Sequence, residues 1–342
     1  MSNAWPLVRA LRDPASVRGL DGAGWTNLVS MARAESLIGS LAHRLKEEDV
    51  PARVRPVLDD AIAAHQLARQ QALWEADCTR RALAGYSGKV VLMKGTAYVA
   101  VDLDAGIGRS IGDLDIMVAR EDLKQVEHML LDAGWEWVKP DPYDDQYYRE
   151  HMHELPPLIH RDRDRMIDVH HTTLPLTARP TPDARAMLDA AVQLETGQYV
   201  MAPADMVLHA VAHLVADGDL AGGLRNLWDI DQLIREFAKG DEAFWVSVEE
   251  RAKAHGLAPH LARALRLAAR LYGTPVSQSV AGVGQFSDWI HERRLLARDG
   301  WGRETRKLTR LIFYIRSHWL RMPPLMLARH LFVKWRKGQG AA

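Results

Sequence analysis

The chain has 342 residues, 47% of them apolar and 26% charged, with 44 basic side chains balancing 44 acidic ones. These are the proportions of an ordinary globular protein with chain enough for two or three domains. A single cysteine, Cys78, cannot close an internal disulfide, and neither a signal-peptide pattern nor an apolar run of about 18 residues is visible, so a cytoplasmic chain without a membrane span is expected.

The first 85 residues read as helix, with residues 53–83 rich in Ala, Leu, Arg and Gln and free of Gly or Pro after Pro56. Cys78 falls in this pattern as a packing residue. A β-rich run follows at 89–93, then a Lys94-Gly95 turn and a short helix over 96–102. Residues 113–119 form a strand, 121–133 a helix closed by Gly134, and 135–138 a strand. Residues 143–149 read as a loop or short helix. Two further strands, 154–160 and 165–171, flank a charged turn at 161–164. From Thr181 the pattern returns to helix: 204–216, 224–238, 241–255, 258–272, 303–321 and 324–337. No internal repeat or low-complexity tract is apparent.

The zero net charge conceals an asymmetry. Residues 303–337 carry ten Lys/Arg and one acid, Glu304, which leaves −9 on residues 1–302. A basic tail bearing Phe313, Tyr314, Trp319, Phe332 and Trp335 suits an anionic partner: a membrane surface, a nucleic acid or an acidic protein patch. The plainer expectation is a helix pair packed on the body through its apolar faces, with solvated arginines.

Three acids stand in apolar runs. In a strand, residues two apart project from one face, so Asp113 and Asp115 hold their carboxylates side by side while Leu114, Ile116 and Val118 face the other way. Asp168 and His170 share a face in the same manner, and an antiparallel strand beside 113–119 would bring Asp168 to the pair. Neighbouring carboxylates repel unless a cation lies between them, and hard oxygen ligands favour Mg²⁺. Such a trio can hold two ions and serve phosphoryl or nucleotidyl transfer.

These motifs, in this order, resemble the nucleotidyltransferase superfamily with the DNA polymerase β-like fold. They are most similar to a broad, largely uncharacterised bacterial nucleotidyltransferase family, through Met93-Lys94-Gly95, Arg109, Asp113-Leu114-Asp115-Ile116-Met117-Val118 and Ile167-Asp168-Val169-His170. The resemblance covers residues 86–171 and extends weakly through 208–213 and 224–230. It implies an α+β fold: a small polymerase β-like domain with a mixed sheet over residues 86–175, an N-terminal helical region (1–85), a helical domain (176–300) and a basic helical tail (301–342). It also implies an Mg²⁺-dependent enzyme, with two ions, that passes the nucleoside monophosphate of an NTP, ATP being expected, to a hydroxyl or phosphate acceptor. Asp113, Asp115 and Asp168 would be the metal ligands and catalytic residues, while Lys94, Gly95, Thr96, Arg109 and His170 would contact the nucleotide. The acceptor stays open among small molecule, sugar, peptide, protein and RNA end. The chain departs from the superfamily's Gly-Ser or Gly-Gly turn, having Lys94-Gly95-Thr96.

Other readings compete. A zinc-dependent hydrolase would use His151, His153 and Glu154, His170 and His171, or the helical pair His209 and His213, but no His-Glu-x-x-His spacing or cysteine ligand accompanies them. A nucleic-acid module lacks a zinc-finger, helix-turn-helix or RNA-binding motif. A non-catalytic nucleotide- or partner-binding protein on the same fold would not need all three acids. Arg225 and Asp229 have the spacing of a surface ion pair on a helix, although with Asp231 they are also candidates for the cleft. Trp135, Trp137, Tyr143, Tyr147 and Tyr148 are read mainly as packing residues and otherwise as stacking partners for a base or sugar.

Overall fold

A computed structural model describes residues 3–138 and 141–321. The N-terminal helices are α1 (Trp5–Arg12), α2 (Gly22–Ala34), α3 (Ile38–Arg44) and the 28-residue α4 (Arg55–Ala82). Next come β1 (Val91–Leu92), α5 (Lys94–Ala100), β2 (Asp113–Met117), α6 (Leu123–Asp132), β3 (Trp135–Trp137), α7 (Pro142–His151), β4 (Leu158–His160) and β5 (Met166–His170). Then follow α8 (Ala184–Ala190), β6 (Val192–Gln193), β7 (Tyr199–Val200), α9 (Pro203–Val211), α10 (Gly223–Phe237), α11 (Glu242–Ala254), α12 (Ala258–Tyr272), α13 (Gln278–Ala281), α14 (Phe286–Leu295) and α15 (Lys307–Arg321). The fold is α+β, one mixed sheet of seven strands flanked by helical regions. Half-buried Cys78 lies within α4 and packs against the core. The helix expected over 324–337 lies outside the described residues.

The sheet order is β3-β4-β5-β2-β1-β7-β6. One expectation is corrected here: β5 runs parallel to β2, not antiparallel. The reason is the connectivity. The α6 crossover returns β3 in the direction of β2, and the two antiparallel steps β3–β4 and β4–β5 restore that direction at β5. The parallel register nevertheless sets Asp115 opposite Asp168. On the other face Leu114, Ile116, Ile167 and Val169 enter the core, together with Val126 and Leu130 of α6.

The return to helix from Thr181 is corrected in part, since strands lie between Thr181 and the first helix expected, at 204. The β6–β7 hairpin interrupts it, and β7 adds to β1 in parallel. Strands of two residues carry almost no alternation signal, so neighbouring edges decide them. Likewise the helix expected over 204–216 is α9 followed by a π-helical segment, Ala212–Asp217, of the kind often found at functional sites.

The loop after α5 is clamped to α3. A Cβ on Gly39 would meet the Gly108 carbonyl oxygen at 2.4 Å, and one on Gly108, where φ is +71°, would meet the Ser40 nitrogen at 2.2 Å. Only glycine at both positions permits this backbone contact, which fixes the segment carrying Arg109.

Two histidines tie stability to pH. His260 and His291 are pushed down to about 4, chiefly by burial and further by Arg263 and Arg316. The unfolded chain takes up protons near the ordinary imidazole value while the folded one does not. Stability is therefore full above about pH 6.5 and falls toward pH 4, on the order of 3 kcal/mol for each group. Urea midpoints across that range should show the decline, and a His260→Gln/His291→Gln variant should flatten part of it.

Candidate active site

The carboxylates of Asp113, Asp115 and Asp168 offer ligand oxygens that all lie within 4.8 Å of one another. Adjacent parallel strands in register dictate this. Asp113 and Asp115 stand two apart on one face of β2, and Asp168 is the register partner of Asp115. Asp113 is exposed, Asp168 half-buried and Asp115 buried, so the trio runs from solvent into the sheet. Oxygens spaced in this way fit a divalent ion with metal–oxygen distances of about 2.1 Å.

The electrostatics of the trio are divided. Burial would raise the Asp115 carboxyl, but Lys94 and His170 hold it well below the usual carboxylate range. Lys94 Nζ is 2.6 Å from Asp115 Oδ1, and His170 Nε2 is 2.9 Å from the same oxygen. Asp168 has only His170 on that side. Burial first, then Glu154, Asp115 and Asp113, push its carboxyl up to about 7 against the opposing effect of His170. A cation among these oxygens would supply the missing countercharge.

The turn that delivers Lys94 is conformationally unusual. Lys94 has φ of +48°, a region that non-glycine residues seldom occupy, and it is the first residue of α5. Burial alone would lower its ammonium, yet Asp115 raises it, with Asp113 and Glu154 adding. Gly95 follows because there is no room for a side chain: a Cβ there would lie 2.7 Å from Arg109 Nε and 2.9 Å from Ile111 Cγ1. Thr96 is buried, and its hydroxyl has no partner among the described residues.

Arg109 lies beside this turn. Its guanidinium sits over the Tyr98 ring at 5.5 Å and pairs with Asp229 through Nη1. Arg225 pairs with the same carboxylate at 2.6 Å and donates to Ser40 Oγ at 2.7 Å and the Ala105 carbonyl at 3.3 Å. The Arg225–Asp229 pair thus forms as its spacing predicts, but it is buried and takes Arg109 as a third member, not a surface pair. Two guanidinium groups share one carboxylate, leaving an excess of positive charge behind the turn. Asp231 is directed elsewhere, to Arg235 and Thr274.

The histidines separate. His153, Glu154 and His170 form a second group whose ligand atoms lie within 4.8 Å of one another. Glu154 Oε2 is 3.5 Å from Nε2 of each ring, and an antiparallel bridge between Glu154 and His170 holds the two segments together. His171 instead bonds the Met152 carbonyl. Burial keeps His209, near the end of α9, and His213, in the π-helical segment after it, low, and Lys94 and His170 reinforce this. Trp135 is a packing residue under Arg163, 4.6 Å from its ring, while Trp137 donates to Glu127 at 3.0 Å.

Sequence reasoning missed Tyr98 and the triple ion group, and it weighed Glu154 only as a zinc ligand. The signal for Glu154 was present, since a carboxylate just before an apolar pair and opposite Asp-x-His is poised to bridge across strands.

Three acids on adjacent strands whose oxygens could hold a cation, with a Lys-Gly turn beside them and excess positive charge behind, have the composition of a phosphoryl- or nucleotidyl-transfer centre. The family model described as "Uncharacterised nucleotidyltransferase" matches residues 21–273, and the chain belongs to that family. The match runs from the start of α2 to the glycine that ends α12, so it takes in the sheet and helices on both sides of it, well beyond residues 86–171. No curated protein matches the chain.

Proposed function

We propose that the protein is an Mg²⁺-dependent nucleotidyltransferase that passes the nucleoside monophosphate of an NTP, with ATP expected, to a hydroxyl or phosphate acceptor. The observation that carries this reading is the grouping of Asp113, Asp115 and Asp168 within 4.8 Å, with Lys94 on Asp115. When bound there, Mg²⁺, expected as two ions, would neutralise the carboxylates, orient phosphate oxygens and acidify the attacking hydroxyl. Asp113, Asp115 and Asp168 would hold it.

The other roles belong to the chain. Asp168 receives the proton of the acceptor hydroxyl. The acceptor oxygen bonds to the α-phosphorus as the bond from that phosphorus to the bridging oxygen breaks, and pyrophosphate leaves with the bonding pair. Lys94 meets the phosphates as a point charge and Arg109 as a planar fork, while the Thr96 hydroxyl supplies a donor. Gly95 lets Arg109 lie against the turn, and His170 keeps Asp115 oriented.

Incubation with Mg²⁺ and each labelled NTP tests the reading. Mg²⁺-dependent retention of one nucleotide, ATP above the others, is expected; no affinity for any NTP would overturn it. The His153–Glu154–His170 group supports a second reading, a zinc-dependent hydrolase. That alternative predicts Zn²⁺-dependent activity that is lost in His153→Gln and kept in Asp113→Asn.

A further inference from the structure

Helix α15, in the basic C-terminal region, presents a face that packing among the described residues does not explain. Helix α15 buries Phe313, Thr309 and Ser317 against the body, and Arg316 donates to the Val215 carbonyl at 2.8 Å. These positions define its inner face. On the other side Leu308, Leu311, Ile312, Ile315 and Trp319 are 48–72% exposed. Their spacing of three, four, seven and eleven gathers them into a continuous stripe about 100° wide, turned away from the inner face. The expectation that this helix seats its apolar face on the body is therefore only half met. A second apolar face looks outward.

The charges bordering that stripe are of one sign. Lys307 and Arg310 line one edge, and Glu304, the single acid of residues 303–337, is already engaged by Arg294 and Arg310. The adjoining helix α14 exposes Phe286 and Trp289, ring on ring at 5.8 Å, with Arg293 over Trp289 at 5.7 Å. Aromatic side chains with a polar edge, aliphatic residues between them and a basic border are the composition of a helix lying in a lipid–water interface. A nucleic acid would use the charges but leave the aliphatic stripe in water. No helix among the described residues is long and apolar enough to cross a membrane.

We propose that α15 docks the protein on an anionic membrane surface, its Leu308–Trp319 stripe entering the interface and Lys307 and Arg310 meeting lipid headgroups. Flotation of the full chain with phosphatidylcholine vesicles, with and without phosphatidylglycerol, tests this. Binding to the anionic vesicles is expected, at least about tenfold weaker without phosphatidylglycerol and weakened again at high salt. An Ile312→Asp/Ile315→Asp variant, altered only at exposed positions, should keep its circular dichroism spectrum and lose at least about tenfold in vesicle binding. A Lys307→Glu/Arg310→Glu variant should lose the preference for anionic lipid. The proposal is overturned if the wild type stays off anionic vesicles, or if the Ile312→Asp/Ile315→Asp variant binds them as well as the wild type. It is equally overturned if the stripe instead mediates a dimer that this variant dissolves, with no vesicle binding in either form.

Discussion

Asp113→Asn should lower Mg²⁺-dependent NTP binding or turnover by at least about 100-fold while leaving the fold intact. The side chain is exposed at the first position of β2, so the change removes one carboxylate oxygen and a charge without opening the core. Titration with labelled NTP and Mg²⁺, read beside a urea unfolding curve, separates the two effects. Retained activity would show that the cation site lies elsewhere. Asp115→Asn is the harsher change, because Asp115 is buried and both Lys94 and His170 bond to it. That variant should lose stability as well as activity, which makes Asp113 the more discriminating position.

Asp229→Ala should cost about 3–5 kcal/mol of unfolding free energy, the range for removing one partner of a buried ion pair. Arg225 and Arg109 would then lie buried without the carboxylate they share, and Arg225 would keep only the neutral acceptors Ser40 Oγ and the Ala105 carbonyl. The same network links α10 to α3 and to the loop between α5 and β2, so the damage should spread into the turn at Lys94. Urea or thermal unfolding measures the cost. An unchanged midpoint would mean that the two guanidinium groups find other partners.

Much of this could be read from residue order, and the reasons differ by element. The trio of acids was legible because a charge inside an apolar strand run is costly without a counter-ion, and period-two alternation fixes which neighbours share a face. The long helices were legible from composition and from punctuating Gly, Pro and Asp; α12 has the bounds the pattern indicated. The direction of β5 was not legible, because two successive reversals set it and the side-chain pattern does not. The two-residue strands β6 and β7 gave no periodic signal at all. Arg225 and Asp229 looked like a solvated pair because their spacing on one helix says nothing about what covers that helix, and Arg109 comes to them from 120 residues away. The tail was legible in charge and not in burial.

Lys94 gives the cluster a tethered monovalent counter-ion of its own. With Nζ at 2.6 Å from Asp115, the ammonium already answers the deepest carboxylate before any solute arrives. On the proposed function, a free divalent ion would therefore compete against a partner that never diffuses away. A polyphosphate arriving together with that ion changes the balance, because it offers the ammonium somewhere else to go. Ion and nucleotide would each then raise the other's affinity by the same factor. For such a protein the combination matters and the order of addition does not: Mg²⁺ alone would register weakly, and the same Mg²⁺ presented with a triphosphate strongly.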